Sequence, residues 1–223
     1  MDSSDTSSPE EGYSTLAGPG RAEIKVERSR FAAYAWPAES EAQARDRAAE
    51  VAHLHHDCRH VAFGWRGAAA GRELRSDGGE PAGTAGEPIL AALRAAGVSD
   101  AVVVVARWFG GVRLGTGGLS RAFGRAASDA LAAAPRRTVI PGEERLLILP
   151  YACAGIVARL LAQHGGRRLD GDYDSQARWR VWLPRSALDA FTREAAEATA
   201  GAVKIEAPAV EPEPREDRSG PDA

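Results

Sequence analysis

The sequence predicts an α+β protein with two folded domains, which we place at residues 21–135 and 143–206. Both segments alternate short runs of β-branched and aromatic residues, which favour strands, with longer runs in which apolar residues recur at helical spacing. Residues 136–142 separate the two segments and contain a Pro-Gly pair, which is typical of a linker. The total length of 223 residues is compatible with two domains of this size.

Both ends of the chain differ in composition from its middle. Residues 1–20 and 207–223 are poor in apolar side chains and rich in proline, serine or acidic residues. Such segments cannot bury enough apolar surface to fold. We therefore expect two disordered tails, the first acidic and the second rich in Pro and Glu.

Composition also argues against several classes of protein. No apolar run approaches the length that spans a bilayer, so we expect no contact with a membrane. The first residues lack a basic start and an apolar core, so no secretory signal is predicted and the expected location is the cytoplasm. Cys58 and Cys153 are the only cysteines, too few for a disulfide framework or for a zinc site built on Cys-x-x-Cys pairs.

The first half of the N-terminal domain shows a strand, helix, strand pattern. Apolar and charged residues alternate over 22–36, which predicts a strand pair or one long bent strand. Ser40 begins a capping box, so a helix is expected near 41–55. Residues 61–65 are apolar and predict a strand, for which 73–74 is the candidate partner.

The second half repeats the alternation of helix and strand. A proline in the first turn predicts a helix over 88–96, which Gly97 ends. The continuous β-branched run at 101–106 predicts a buried strand. Apolar residues then recur on one face over 119–134, which predicts a helix that Pro135 ends.

The C-terminal domain follows a recognisable order of elements. The predicted elements are a strand at 145–149, a helix at 154–163, a hairpin of strands at 167–173 and 177–183, a helix at 186–199 and a strand at 201–205. This βαββαβ order is that of a ferredoxin-like sandwich.

The connection between the strand at 101–106 and the helix at 119–134 is rich in glycine and arginine. Glycine lets the backbone adopt positive φ and approach a partner closely, and a helix start offers free N–H donors and a positive dipole end. The connection is therefore predicted to bind an anion, most plausibly a phosphate or a nucleic-acid backbone. The candidate binding residues are Arg107, Trp108, Gly110, Gly111, Arg113, Gly115, Thr116, Gly117, Gly118, Arg121 and Arg125. The alternative is that the glycines only permit tight packing.

Charge is concentrated in the same region. The chain has a formal net charge of −3, but residues 21–205 carry +5 once the acidic ends are set aside. Residues 107–137 hold six arginines and one aspartate, which also gives +5. This local surplus is typical of a surface that contacts anions or nucleic acid. A general bias of the chain towards arginine is the alternative explanation.

A second glycine-rich loop, at 76–87, carries Ser76, Asp77, Glu80 and Thr84. Its carboxylates could accept hydrogen bonds from loop amides or pair with Arg107 or Arg113. They could also hold Mg²⁺ beside a phosphate. We favour internal pairing, in which these four residues support the loop.

A group of histidines near the end of the first helix has spacings that would permit metal ligation. The group comprises His53, His55, His56 and His60, together with Asp57 and Cys58. A helix C-terminus also favours protonated histidine without any ligand. We expect structural or solvated histidines, and we predict neither a metal site nor a cofactor.

Two motifs resemble the signatures of the Impact/YigZ family. The segment Ser76-Asp-Gly-Gly-Glu-Pro-Ala-Gly-Thr-Ala-Gly86 is similar to the first, and Arg107-Trp-Phe-Gly-Gly-Val-Arg-Leu-Gly-Thr-Gly-Gly-Leu-Ser-Arg121 is similar to the second. Residues 143–206 resemble the small C-terminal domain of the bacterial YigZ-like branch. The resemblance implies an N-terminal α/β sandwich like domain IV of elongation factor G and a C-terminal domain like domain V.

The resemblance and the arginine-rich loop together favour a binding protein. Eukaryotic Impact members are translation regulators, and the chain has no recognisable nucleophile or nucleotide-binding motif. We expect a non-enzymatic, monomeric protein that contacts RNA, the ribosome or another translation component. One alternative is a Mg²⁺-dependent enzyme that acts on a small phosphorylated substrate or a nucleotide. The other is a regulatory adaptor with a protein partner.

Overall fold

The structure is a computed structural model that describes residues 12–207, apart from residues 70 and 174. The chain divides into two compact units, of which the first ends at Ile140 and the second begins at Pro141. None of the helices within the described residues is long and apolar enough to cross a membrane.

The first unit is built around a five-stranded antiparallel sheet. Its elements are β1 (Tyr13–Leu16), β2 (Gly20–Val26), β3 (Ser29–Pro37), α1 (Glu41–Leu54), β4 (His60–Arg66), β5 (Glu73–Ser76), α2 (Gly86–Ala95), β6 (Ala101–Trp108), α3 (Gly115–Ala133) and β7 (Arg136–Val139). The strand order is β2-β3-β6-β4-β5, and each neighbouring pair is antiparallel. Both predicted strand pairs, β2 with β3 and β4 with β5, are present.

Helices cover the sheet on both faces, which explains why β6 is apolar along nearly its whole length. Val103 and Val105 belong to the core beneath α2 and α3. Val102 and Val104 point the other way, into the core beneath α1. A strand that is buried on both faces loses the polar alternation of a half-exposed strand.

The predicted N-terminal tail and the predicted linker are each wrong for part of their length. Residues 13–16 form β1, which pairs with β7 from Tyr13 opposite Val139 to Leu16 opposite Arg136. The expected tail at 1–20 therefore includes a strand, and the expected linker at 136–142 begins with another. Leu16 is completely buried, so this pairing belongs to the core of the first unit. Four-residue strands carry too little periodicity to be detected by pattern. Residues 1–11 lie outside the described part of the chain.

Asp100 ties β1 to the turn before β6. It has a positive φ of 49°, and its carboxylate accepts hydrogen bonds from the Tyr13 hydroxyl and, at 2.8 Å, from the Ala68 amide. Thr15 Oγ1 donates to the Asp100 carbonyl at 3.2 Å. Burial and the contact with Asp100 raise the pKa of Tyr13 far above its ordinary value of 10.0, so the phenol stays protonated.

The second unit is a four-stranded sheet with two helices. Its elements are β8 (Gly142–Leu149), α4 (Ala154–Gln163), β9 (Arg167–Tyr173), β10 (Ala177–Pro184), α5 (Leu188–Ala198) and β11 (Lys204–Glu206). The strand order is β11-β8-β10-β9, and all pairs are antiparallel. This order and the βαββαβ sequence of elements confirm the predicted ferredoxin-like architecture. The second predicted tail lies outside the described residues except for residue 207.

Candidate functional site

Two loops carry most of the residues that the sequence singled out, and one buried ion pair joins them. Residues 77–85 connect β5 to α2, and residues 109–114 connect β6 to α3. Arg107 Nη1 donates to both carboxylate oxygens of Glu80, at 2.7 and 2.8 Å. Only 7% of the Arg107 side chain and 2% of the Glu80 side chain are exposed.

This geometry corrects the expected role of Arg107. It lies in β6 opposite Phe31, and its guanidinium carbon is 5.6 Å from the Phe31 ring centroid. A guanidinium buried among apolar groups requires a carboxylate partner, and Glu80 supplies one. Arg107 therefore organises the two loops from within and does not present its charge to a phosphate in solution.

Asp77 holds the 77–85 loop together and caps α2. Its Oδ1 accepts hydrogen bonds from the Ala85 and Gly86 amides at 3.0 and 2.8 Å, and its Oδ2 accepts one from the Gly83 amide at 2.9 Å. Partial burial raises the pKa of Asp77, but the three amides and the charge of Arg75 outweigh it and leave the pKa below 3.8. The carboxylate is therefore ionised at neutral pH.

Ser76 and Thr84 complete the internal bonding of this loop. Ser76 Oγ accepts a hydrogen bond from the Gly78 amide at 3.3 Å, and Thr84 Oγ1 donates to the Pro81 carbonyl at 2.7 Å. The carboxylates of Asp77 and Glu80, which could have held Mg²⁺, already have internal partners. Within the described residues, no group of three or more His, Cys, Asp or Glu side chains is placed to hold a metal ion.

Trp108, one of the candidate binding residues, is engaged by neighbouring side chains. The Arg30 guanidinium lies 3.7 Å from the centroid of its ring, and His55 contacts it edge to face at 4.9 Å. Its Nε1 donates to Asp57 at 2.8 Å, and this bond lowers the pKa of Asp57. One face of the indole is thus covered by a cation.

The histidines have separate partners and do not converge on one point. His55 Nε2 bonds the Tyr34 hydroxyl at 2.7 Å, whereas His60 Nδ1 bonds the Gly78 carbonyl at 3.3 Å. His53 and His56 are exposed. Burial, reinforced by the charge of Arg30, lowers the pKa of His55 below 6.5.

The glycines at 115–118 form the first turn of α3, four residues before the predicted start of this helix. Leu114 occupies the N-cap position and makes no side-chain capping bond, and the first turn holds no acidic residue. The leading amides of α3 therefore lack the side-chain acceptor that usually covers a helix start. This leaves the positive end of the helix dipole open to an external anion.

The glycines of the 107–121 segment differ in whether packing requires the absence of a side chain. A Cβ on Gly110 would lie 2.0 Å from a backbone atom of Arg28, so Gly110 is needed for packing. A Cβ on Gly111 or Gly115 would meet nothing within 4 Å, and both residues have positive φ. A Cβ on Gly117 would meet only the flexible Arg121 guanidinium, at 3.4 Å. A Cβ on Gly118 would lie 3.0 Å from Leu114 Cβ.

Three arginines remain at the surface around the start of α3. Arg113, Arg121 and Arg125 are all exposed. Arg125 faces Asp129 one turn further on, at 3.8 Å, and so is partly neutralised. We call Arg113, Gly115, Thr116, Gly117 and Arg121 the α3 N-terminal surface.

A cavity of about 500 Å³ opens beside the 109–114 loop. Its lining residues are Asp57, Arg59, His60, Arg107, Trp108 and Phe109. Sequence reasoning did not select Arg59 or Phe109. Phe109 is 55% exposed, and an aromatic residue within a glycine- and arginine-rich loop is the signal that could have identified it.

Comparison with known proteins agrees with both units. Residues 27–131 match the Impact N-terminal domain, and residues 147–202 match a domain of unknown function, DUF1949. The IMPACT family member YigZ of Escherichia coli (strain K12) is 32% identical over 198 residues, which cover 87% of this chain and 97% of that protein.

Two further relatives extend the comparison. The IMPACT family member in the pol 5′ region of Thermus thermophilus is 43% identical over 141 residues, which cover 62% of this chain and 75% of that protein. A crystal structure of a hypothetical protein aligns with a TM-score of 0.63 and 31% identity over 90% of this chain and 99% of the other. Since both units match in order and YigZ aligns along nearly its whole length, this chain belongs to the IMPACT family.

Proposed function

We propose that the chain is a translation-associated binding protein that holds the phosphate backbone of RNA at the α3 N-terminal surface. The observation that carries the proposal is the open first turn of α3. Its amides have no side-chain cap, and exposed Arg113 and Arg121 flank it. Backbone donors, a helix dipole and guanidinium groups at one place favour a phosphate.

The glycines supply a second, independent argument. Glycine inside a helix costs about 1 kcal/mol relative to alanine. Packing explains Gly110, but it does not explain Gly117, whose missing Cβ would meet only a flexible side chain. Close approach of a ligand to the backbone is a reason to keep that space empty.

The engaged carboxylates favour binding over Mg²⁺-dependent catalysis. Asp77 already accepts three amide hydrogen bonds, and Glu80 is bonded to Arg107. A metal ion would have to compete with these contacts at either carboxylate. The α3 N-terminal surface needs no such rearrangement to accept an anion.

The first test measures the affinity for structured RNA over a range of salt concentrations. We expect affinity to fall steeply with salt, with a logarithmic slope of about −0.7 to −0.9 for each phosphate contacted. Arg113→Ala and Arg121→Ala should each weaken binding and reduce the slope by about one phosphate contact. Arg159→Ala, at an exposed position of α4, is the matched control and should have no effect.

Gly117→Ala separates binding from folding. Alanine favours the helix, so the melting temperature should stay the same or rise, while RNA affinity falls because the methyl group occupies the ligand's space. RNA affinity that is insensitive to salt, to Arg121→Ala and to Gly117→Ala would contradict the proposal.

A further inference from the structure

We infer that the cavity beside the 109–114 loop receives one unpaired nucleobase, so that the RNA segment recognised is single-stranded. This inference rests on the proposed function and specifies its ligand class. The cavity volume of about 500 Å³ falls within the range of small-ligand sites, about 300–1,000 Å³.

Phe109 provides a stacking surface. It is 55% exposed, whereas Phe31 is completely buried and Trp108 is partly buried, with Arg30 on one face and His55 in edge-to-face contact. Every nucleobase presents a π-face, and stacking on an aromatic side chain contributes to binding whatever the base. An exposed aromatic ring in an arginine-rich loop is therefore suited to an unpaired base.

The buried ion pair holds this ring in place. The Arg107 guanidinium carbon lies 5.6 Å from the Phe109 ring centroid, and Glu80 holds the guanidinium from the other loop. A ring that is already held by a neighbouring side chain loses less conformational freedom on binding than a freely moving ring. Arg107 is thus a positioning residue for Phe109.

The cavity also carries hydrogen-bonding groups that suit the edge of a base. Asp57 accepts hydrogen bonds and the exposed Arg59 donates them. In the tautomer that donates through Nδ1 to the Gly78 carbonyl, His60 Nε2 is an acceptor. The cavity therefore combines an aromatic face with both donors and acceptors.

One side of the cavity, formed by residues 107–109, lies on the same stretch of chain as the proposed phosphate site. Five residues lie between Phe109 and Gly115 along the sequence. Bases inside a duplex must first lose their pairing and stacking to enter a cavity, whereas unpaired bases can turn outward onto aromatic side chains. The combination thus favours a single strand over a duplex.

The experiment compares a short single-stranded RNA with a blunt duplex of the same sequence by fluorescence anisotropy. The wild-type chain should bind the single strand about tenfold more tightly. Phe109→Ala should remove about that factor for the single strand and leave duplex affinity unchanged, while Phe109→Tyr should bind like the wild type. Ile156→Ala, which removes an exposed apolar side chain in the second unit, is the matched control.

Further variants distinguish this inference from the proposed function. Arg59→Gln should weaken the single strand selectively, whereas Arg121→Ala should weaken both RNAs. Salt-dependent binding that is equal for both RNAs and unaffected by Phe109→Ala would overturn the nucleobase site alone. Absence of binding to either RNA would overturn the proposed function too. A nuclease-resistant protein partner lost in Phe109→Ala, with RNA affinity unchanged, would make the loop a protein-docking surface and overturn the inference.

Discussion

At the scale of single residues, Arg107 and Glu80 show how burial turns a charge expected to bind a ligand into one that stabilises the fold. The sequence places Arg107 at the start of an arginine-rich segment, where an exposed cation is expected. The fold buries it opposite Phe31 and pairs it with Glu80 from another loop. A buried pair of this kind positions its neighbours, and removing one partner leaves an uncompensated charge.

A double-substitution series tests this pair. Arg107→Met alone should lower the free energy of unfolding by about 3–5 kcal/mol, because the Glu80 carboxylate is left buried without a partner. Glu80→Met together with Arg107→Met should recover most of that loss. Denaturant titration of the wild type, both single variants and the double variant measures the coupling. A double variant no more stable than Arg107→Met would contradict the assigned burial.

His55 should make stability depend on pH. Burial and Arg30 lower its pKa in the folded state, whereas the unfolded chain retains the ordinary value of 6.5. Above pH 6.5, His55 is unprotonated in both states, and its contribution to the free energy of unfolding is fully present. As pH falls below 6.5, the unfolded chain takes up a proton first, so the free energy of unfolding decreases until the folded-state pKa is passed.

Denaturant titrations between about pH 7 and pH 5 should show this decrease. His55→Gln removes the titrating group and should flatten the pH dependence in that range. Carboxylates with lowered pKa, such as Asp77, lose their contribution only at lower pH, below their ordinary value of 3.8. An unchanged slope in His55→Gln would assign the effect to another group.

Gly78 illustrates a residue whose role only packing reveals. The first signature contains several glycines, and the sequence alone does not show which of them packing requires. Gly78 has a positive φ of 58°, and a Cβ there would lie 2.0 Å from the Val61 carbonyl oxygen. The loop lies too close to β4 to accommodate a side chain at Gly78. Only the packing of the loop against this strand reveals that constraint.

At the scale of elements, the start of α3 differs most from the sequence-based expectation. Apolar periodicity begins at Leu119, but the helix begins at Gly115. Glycine is a poor helix former, so propensity predicts a loop over residues that the structure places in the first turn of the helix. The consequence is functional, because the predicted glycine loop is in part an uncapped helical turn.

The 77–85 loop has the opposite character. The sequence analysis favoured internal pairing in this loop, and the Asp77 carboxylate accepts hydrogen bonds from the amides of Gly83, Ala85 and Gly86, where α2 begins. The loop caps α2 and positions Glu80. Composition alone cannot show that a carboxylate closes a turn eight or nine residues away.

At the scale of the whole molecule, the boundary between units follows strand pairing rather than composition. β7 pairs with β1 and so belongs to the first unit, which ends at Ile140. The first domain was expected to end at residue 135, but the first unit extends five residues further, to Ile140, immediately before the Pro-Gly pair. The predicted linker therefore contains part of the first domain.

Two truncated chains test this boundary. A chain that ends at Ile140 keeps β7, whereas a chain that ends at Pro135 lacks it. We expect the shorter chain to be less stable by about 2 kcal/mol, because it loses the ladder hydrogen bonds of β1 and the cover over Leu16. Thermal unfolding measures the difference, and both chains lack the second unit equally. Equal stability would show that β7 contributes nothing to the first unit.

The sequence by itself determined the class of the fold, the family and nearly all of the longer elements. These depend on local periodicity and on two contiguous motifs, both of which are written along the chain. It also located the segment from which the α3 N-terminal surface is built. Arg113 and Arg121 are exposed there as expected.

Only the tertiary structure decided which charges remain available. Arg107 and Glu80 are 27 residues apart, and Trp108 and Asp57 are 51 apart, so no local pattern reports their pairing. The pairing of β1 with β7 spans more than a hundred residues. Burial and partner choice depend on which distant segments pack together, and that information exists only once the chain has folded.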